Sequence, residues 1–248
     1  MNASQKAPAR CRLDELLVAR GFYPSRSRAR DAILRGTVSV SGAPAGKPAQ
    51  MVEADAEITL ADEGQHYVSR AALKLKHALA LFGISAKGLR ALDLGASTGG
   101  FSQVLLEEGV SHVTAIDVGH GQMKLSDPRL TSIEGLNARD LTPDLFPAPI
   151  DLIVCDMSFI SLKLALPAAL DLAERGAYLV ALIKPQFEVG RDALGKGGIV
   201  TDELERQRVC DEIAEFLEHC GWKVLGLTPS PIAGGDGNAE FLIAARKD

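Results

Sequence analysis

Leu89-Arg90-Ala91-Leu92-Asp93-Leu94-Gly95-Ala96-Ser97-Thr98-Gly99-Gly100 has the order of a strand, a turn and the start of a helix. The apolar run Ala91 to Leu94 predicts a buried parallel strand. The next six residues are small and rich in glycine, and Phe101-Ser102-Gln103-Val104-Leu105-Leu106 continues with helical patterning. Together they form the opening of a nucleotide-binding βα unit. Glycine suits the turn because the backbone must reverse tightly and let a ligand approach closely.

The turn is not the G-x-G-x-x-G of dinucleotide binders. A pyrophosphate needs a cradle of N–H groups at the helix start. Here the Asp93 carboxylate precedes the first glycine, which disfavours phosphate and suits a cationic ligand. Asp117 ends the next apolar run, Val113-Thr114-Ala115-Ile116, where an acid would accept hydrogen bonds from both ribose hydroxyls. A nucleoside with a cationic amino-acid tail fits both carboxylates, which favours S-adenosylmethionine over NAD. A Rossmann-like turn with another dinucleotide, or with no ligand, stays open at this point.

Further apolar runs lie at 112–117, 131–134, 151–156, 177–184, 222–228 and 240–245, with helix patterns at 71–82, 100–109, 161–174 and 202–219. Such alternation predicts a parallel sheet covered on both faces. Ligands in these sheets bind beyond the carboxyl ends of the strands. Asp93, Asp117, Asp156 and Lys184 stand at such ends, and Glu240 begins the last strand. Lys184 follows Leu179-Val180-Ala181-Leu182-Ile183, so it is expected to be desolvated or paired. Lys74, taken alone, is an ordinary helix lysine.

Before this body lies a smaller unit. Arg12-Leu13-Asp14-Glu15-Leu16-Leu17 predicts a helix ending by Gly21. Pro24-Ser25-Arg26-Ser27 starts a second helix, capped by Ser25 or Ser27 and stopped at Gly36. Strands are expected at Val38-Ser39-Val40 and Glu57-Ile58-Thr59-Leu60. Residues 1–60 carry an excess of Lys and Arg, although the whole chain of 248 residues has a net charge of -5. A basic module on an acidic body points to nucleic acid. Arg12, Arg26, Arg28, Arg30 and Arg35 are the candidate phosphate ligands. With few aromatic residues, the module is expected to read RNA shape and backbone rather than stacked bases.

Arg12-Leu-Asp, Ser27-Arg-Ala-Arg, Ile33-Leu-Arg-Gly and Val38-Ser-Val-Ser-Gly resemble the RNA-binding module named after small-subunit ribosomal protein S-four. The expected organisation is a flexible segment 1–10, this α+β module at 11–60, a linker at 61–66 and a second domain at 67–248. No run approaches the roughly 18 apolar residues of a membrane span. The N-terminus shows no secretory signal, and Cys11, Cys155, Cys210 and Cys220 are scattered. These features predict a cytoplasmic protein with neither disulfides nor a metal site.

The whole chain resembles the TlyA, or hemolysin-A-like, family. The carriers are Tyr67-Val-Ser-Arg-Ala-Ala-Leu-Lys-Leu, Asp93-Leu-Gly-Ala-Ser-Thr-Gly-Gly-Phe, Asp117-Val-Gly-His-Gly-Gln, Asp156-Met-Ser-Phe-Ile-Ser, Lys184-Pro-Gln-Phe-Glu, Gly195-Lys-Gly-Gly-Ile-Val and Gly237-Asn-Ala-Glu-Phe-Leu. The resemblance implies an FtsJ-like, Rossmann-like methyltransferase with a mostly parallel seven-stranded sheet behind the S-four-like module. It implies S-adenosylmethionine as donor and ribosomal RNA or ribosomal subunits as partner, with a cytidine ribose 2'-hydroxyl as target. It implies a catalytic tetrad of Lys74, Asp156, Lys184 and Glu240. Donor contacts are implied at Asp93, Gly95, Ala96, Ser97, Thr98, Gly99, Gly100, Phe101, Asp117, Val118, Asn137 and Asp156. Two stretches depart from the family pattern: Gln122-Met-Lys-Leu-Ser-Asp-Pro-Arg-Leu is shorter, and Glu134-Gly-Leu-Asn-Ala-Arg lacks an Arg-Thr before the asparagine.

A ribose hydroxyl is a poor nucleophile, so the site must align it with the methyl group and help its proton leave. In this reading Lys184, tuned by burial and by Lys74, binds or deprotonates the hydroxyl, while Asp156 and Glu240 hold the two ammonium groups. A base N-methyltransferase, a pore-forming toxin and a non-catalytic RNA-binding protein are the competing readings. The chain is expected to be a monomer or weak dimer.

Overall fold

The structure is a computed structural model that describes residues 9–190 and 194–248. Of the segment expected to be flexible, residues 1–8 lie outside the described residues, and Arg10 already belongs to a strand. The chain forms two compact units that part between His66 and Tyr67.

The first unit opens with β1 (Arg10–Arg12), α1 (Leu13–Ala19) and α2 (Arg26–Leu34). Of the two candidate caps, Ser25 is the one used: its side chain accepts from the Arg28 N–H. Strands β2 (Val38–Val40), β3 (Ala43–Pro44), β4 (Met51–Glu53) and β5 (Ile58–Leu60) follow. They pair as a β3-β2-β5 sheet and a separate β1-β4 ladder. Leu13, Leu17, Ala29, Ala32, Ile33 and Val38 make its sealed core. The stretch 61–66 is not a free linker. The side chain of Asp62 takes two hydrogen bonds from Arg35, at 2.9 and 3.0 Å, and one from the Tyr23 hydroxyl at 2.8 Å. Its polar composition suggested a tether, but the carboxylate is the partner that the buried Tyr23 hydroxyl and the half-buried Arg35 need.

The second unit is organised on a sheet of seven strands. In chain order these are β6 (Arg90–Leu94), β7 (His112–Asp117), β8 (Leu130–Glu134), β9 (Ile150–Cys155), β10 (Ala173–Ile183), β11 (Trp222–Pro229) and β12 (Phe241–Lys247). Their order across the sheet is β11-β12-β10-β9-β6-β7-β8. β12 runs antiparallel to both its neighbours. Alternation along each strand sends residues to opposite faces. Leu152, Val154, Val180 and Leu182 pack on one side with α3 (Ala72–Phe82) and α4 (Gly100–Glu107). Ile153, Cys155, Leu179 and Ala181 pack on the other with α8 (Glu203–His219) and the short helices α5 (Leu162–Ala165) and α6 (Pro167–Leu172).

The helix expected over 161–174 is therefore two short ones, and β10 begins at Ala173. Pro167 is the physical reason: it lacks an N–H and clashes inside a continuous helix, so it opens a new one.

Candidate active site

Strand direction brings the site together. β9 and β10 are parallel, so Asp156 and Lys184, which follow them, emerge at one rim. β12 is antiparallel and pairs Phe241 with Ile183. Glu240, which precedes β12, therefore lies at the same rim although it stands before its strand rather than after it. Lys74 comes from the first turn of α3, which covers this end of the sheet.

The four side chains form two ion pairs. Lys74 Nζ is 2.5 Å from Glu240 Oε2, and both residues are 5 % exposed. Lys184, 8 % exposed, has Nζ 2.6 Å from Asp156 Oδ1. That contact is off the axis of an aligned hydrogen bond, whereas Nζ donates squarely to Ser158 Oγ at 2.9 Å. An ammonium carries three N–H groups. Ser158 thus takes one N–H of Lys184, the Asp156 carboxylate lies beside the ammonium, and an N–H direction is left for another oxygen.

Two cavities meet at this lysine. The larger, about 560 Å³, is lined by Lys74, Lys184, Glu240, Phe159, Phe187 and Gln186 among others. The smaller, about 200 Å³, runs along Gly95, Ala96, Ser97, Thr98, Gly100 and Phe101 to Asp156. Ser69, Ala71, Ser158 and Lys184 line both. Gly95 has φ +79°, and a Cβ there would lie 2.8 Å from the Asp156 carbonyl oxygen, so the turn admits only glycine. At the far side, Asn238 braces the loop that carries Glu240. Its amide donates to the Gly198 carbonyl and Asp236, and its Oδ1 accepts from the Val200 N–H.

The donor-site expectations divide. Asp117 accepts from the Ser97 and Gly119 N–H groups at 2.8 and 2.7 Å, fixing the turn against β7. Asp93 does not line the smaller cavity. It is 1 % exposed, takes the Ser102 hydroxyl at 2.6 Å on one oxygen, and leaves the other buried without a partner. Burial pushes its carboxyl up to about 7. A side chain sealed behind the turn cannot meet a cationic tail directly. Gly99, Asp117, Val118 and Asn137 also stand off this cavity. Gly99 faces Met123 and Leu125, Val118 points outward, and Asn137 caps a turn through the Arg139 N–H. The short segment after β7 explains the first of these: Gln122 accepts from Ser97 Oγ, and the Lys124 backbone N–H donates to the Thr98 carbonyl.

Sequence reasoning missed Ser158, Ser69 and the aromatic pair Phe159–Phe187. Their signal was proximity in sequence to Asp156, Lys74 and Lys184. Phe159 is 91 % exposed and has φ +66°, a backbone conformation costly for a bulky residue. Its ring lies 5.1 Å from that of Phe187.

In the first unit the candidate arginines are unequal. Arg35 spends its fork on Asp31 and Asp62, so it is a structural residue rather than a phosphate ligand. Arg12 and Arg26 converge on the fully buried Asp14, whose carboxyl is held down at about 2, chiefly by Arg12. Arg30 is exposed on α2, whereas Arg28 is half-buried and donates to the Gly64 carbonyl.

Residues 67–247 match the family model described as FtsJ-like methyltransferase, and residues 11–58 match the S4 domain. The chain belongs to the FtsJ-like methyltransferase family. Within it, the 16S/23S rRNA (cytidine-2'-O)-methyltransferase TlyA of Mycobacterium tuberculosis is 44 % identical over 96 % of this chain and 90 % of that protein. Hemolysin A of Brachyspira hyodysenteriae is 41 % identical over 93 % of this chain and 98 % of its own. A solved structure from Streptococcus thermophilus, described as a candidate hemolysin, covers 98 % of this chain and 90 % of that one, with 39 % identity and a TM-score of 0.74. An S-adenosylmethionine-dependent methyltransferase from Mesorhizobium loti shares the fold, with a TM-score of 0.52 at 15 % identity over 69 % of this chain and 96 % of that one. This FtsJ-like chain thus combines an S4 module with a methyltransferase fold. Among the described residues, no helix is long and apolar enough to cross a membrane.

Proposed function

We propose that this protein methylates the 2'-hydroxyl of a cytidine ribose in ribosomal RNA, using S-adenosylmethionine. The observation that carries this reading is the position of Lys184, which lines both cavities with one N–H direction unspent. The glycine turn and Asp156 suit the sulfonium end of the donor, which supplies an electrophilic methyl group. Asp117 suits the ribose of the donor, since each carboxylate oxygen keeps a lone pair beyond its backbone bond.

Lys184 binds the target hydroxyl oxygen and, in its amine form, takes the proton. Asp156 and Ser158 hold Nζ on the line between the cavities. Glu240 fixes Lys74, and that pair closes the wall of the larger cavity. Phe159 and Phe187 offer an aromatic face for the target base, so the ribose is presented rather than the base edge. The exposed Arg30, with the half-buried Arg28 beside it on α2, engages RNA phosphates. The likeness to TlyA of M. tuberculosis supports the cytidine and the ribosomal target.

The test is labelled methyl transfer to intact subunits, separated subunits and naked ribosomal RNA, followed by digestion and mass spectrometry. The methyl is expected on a cytidine ribose. Lys184→Ala is expected to lower the rate by about a thousandfold, with donor affinity by calorimetry within about threefold. A methyl on a base nitrogen, or full activity in Lys184→Ala, overturns the assignment.

A further inference from the structure

Lys184 and Glu188 stand at the two ends of a single helical turn, α7 (Pro185–Glu188), for which Lys184 is the N-cap residue. The turn is closed by Phe187 N–H on the Lys184 carbonyl and Val189 N–H on the Pro185 carbonyl, both at 2.9 Å. Glu188 is far from the ion pairs in role, yet both oxygens of its carboxylate accept a hydrogen bond. One oxygen takes the Ser161 hydroxyl at 2.5 Å, and the other takes the Leu162 N–H at 2.8 Å. Ser161 and Leu162 follow the Asp156–Phe159 loop after one residue, Ile160. The segments after β9 and after β10 are thus joined at three successive levels: Lys184 to Asp156 and Ser158, Phe187 to Phe159, and Glu188 to Ser161 and Leu162.

The middle level needs explaining. Phe159 holds a left-handed backbone and exposes nearly its whole ring. Such a conformation persists only where its surroundings over-determine it. The loop is anchored upstream by Asp156, whose N–H bonds the Leu94 carbonyl. Downstream, Ser161 and Leu162 are anchored by Glu188. Burial raises the Glu188 carboxyl above its ordinary range, so the molecule keeps this acid at a cost.

We propose that Glu188 is a positioning residue for the methyl transfer, acting through Phe159 by clamping Ser161 and Leu162 to the helical turn that carries Lys184. It touches neither donor nor RNA. Its effect is to set where the target base rests relative to the Lys184 amine. The inference rests on the ribose-methylation reading of the same site.

Glu188→Ala is expected to lower kcat by about twentyfold, with the KM for RNA and the donor Kd changed by less than about threefold. Glu188→Gln, which keeps an acceptor for the Leu162 N–H, is expected to recover to within about threefold of the parent. Should Glu188→Ala fold poorly, Ser161→Ala removes one arm of the clamp and is expected to cost about fivefold in kcat. In a Phe159→Ala background either substitution should add less than about twofold, because residues acting through one another are not additive. Equal factors in both backgrounds overturn the proposal. A readout free of turnover separates this from failure of the functional reading. With Phe159→Trp as a fluorophore, measured against the Trp222 background, Glu188→Ala should lower the anisotropy and increase acrylamide quenching. An unchanged signal overturns the clamp even if methyl transfer proceeds.

Discussion

The two units both bury ion pairs, and the pairs differ in what they leave over. In the S4 module Arg35 commits Nε to Asp31 and both terminal nitrogens to Asp62, so the planar fork is filled by carboxylates. At the sheet rim Lys74 and Lys184 each meet one carboxylate, and both line a cavity. Arginine presents a rigid fork that two acids can saturate, while lysine presents a point charge with donors to spare. The same attraction therefore makes a scaffold in one unit and a reactive rim in the other. Buried pairs of either kind say little about stability by their presence, and much by the loss of one partner.

Removing one partner is the sharpest way to break this contrast. Glu240→Ala would leave the Lys74 charge uncompensated at 5 % exposure. The second unit should lose about 3–5 kcal/mol, read as a drop in denaturant midpoint. The double change Lys74→Met with Glu240→Leu should restore most of the stability and none of the methyl transfer. A double variant that stays active would show that the pair only supports the fold.

The S4 module should respond to the loss of a partner in the same direction, with a smaller effect. Arg35→Ala would leave the buried Asp62 charge with only the Tyr23 hydroxyl and the Gly64 N–H, and cost the module about 2–3 kcal/mol, with hydrogen exchange rising in α2. Arg30→Ala should leave stability unchanged within about 0.5 kcal/mol and lower the slope of log K against log salt for RNA binding by about one. If Arg35→Ala instead changed only the salt slope, the division between structural and RNA-facing arginines would fall.

The smallest effect concerns Asp93, the acid behind the glycine turn. Its folded pKa of about 7 lies above the unfolded value of about 3.9. Between these values the native state binds the extra proton, so stability falls as pH rises through that window. Asp93→Asn cannot ionise. It should raise the melting temperature by about 2–4 °C at pH 8, and by less at pH 5. Donor affinity should hardly move, because Asp93 does not line the cavity.

Much of the fold was legible locally. Strand 112–117 was readable as a continuous apolar run because both sheet faces are covered. Helix 71–82 was readable from its period, and the structure places α3 at Ala72–Phe82. The break at Pro167 was visible in the residue but was overruled by the apolar pattern around it. The site was legible only in part. Gly95 and Asp156 stand next to each other through backbone contact, which motif spacing can suggest. Asp93 looked like a ligand because strand-end acids usually face the crevice, yet the side-chain alternation of β6 turned it inward. Ser158 and Glu188 carried no pattern of their own, since a serine or a glutamate in a loop is most often a solvated residue.

By itself the sequence determined the strand–turn–helix at Leu89–Gly100, the split between a basic module and an acidic body, and which residue types could do the chemistry. Periodicity and turn residues act over a few neighbours, so they can be read along the chain. Only the tertiary structure decided that Glu240 reaches Lys74, that Asp156 and Ser158 share Lys184, and that Glu188 holds the loop bearing Phe159. The physical reason is strand direction. An antiparallel β12 delivers the residue before a strand to the rim where parallel strands deliver the residues after them.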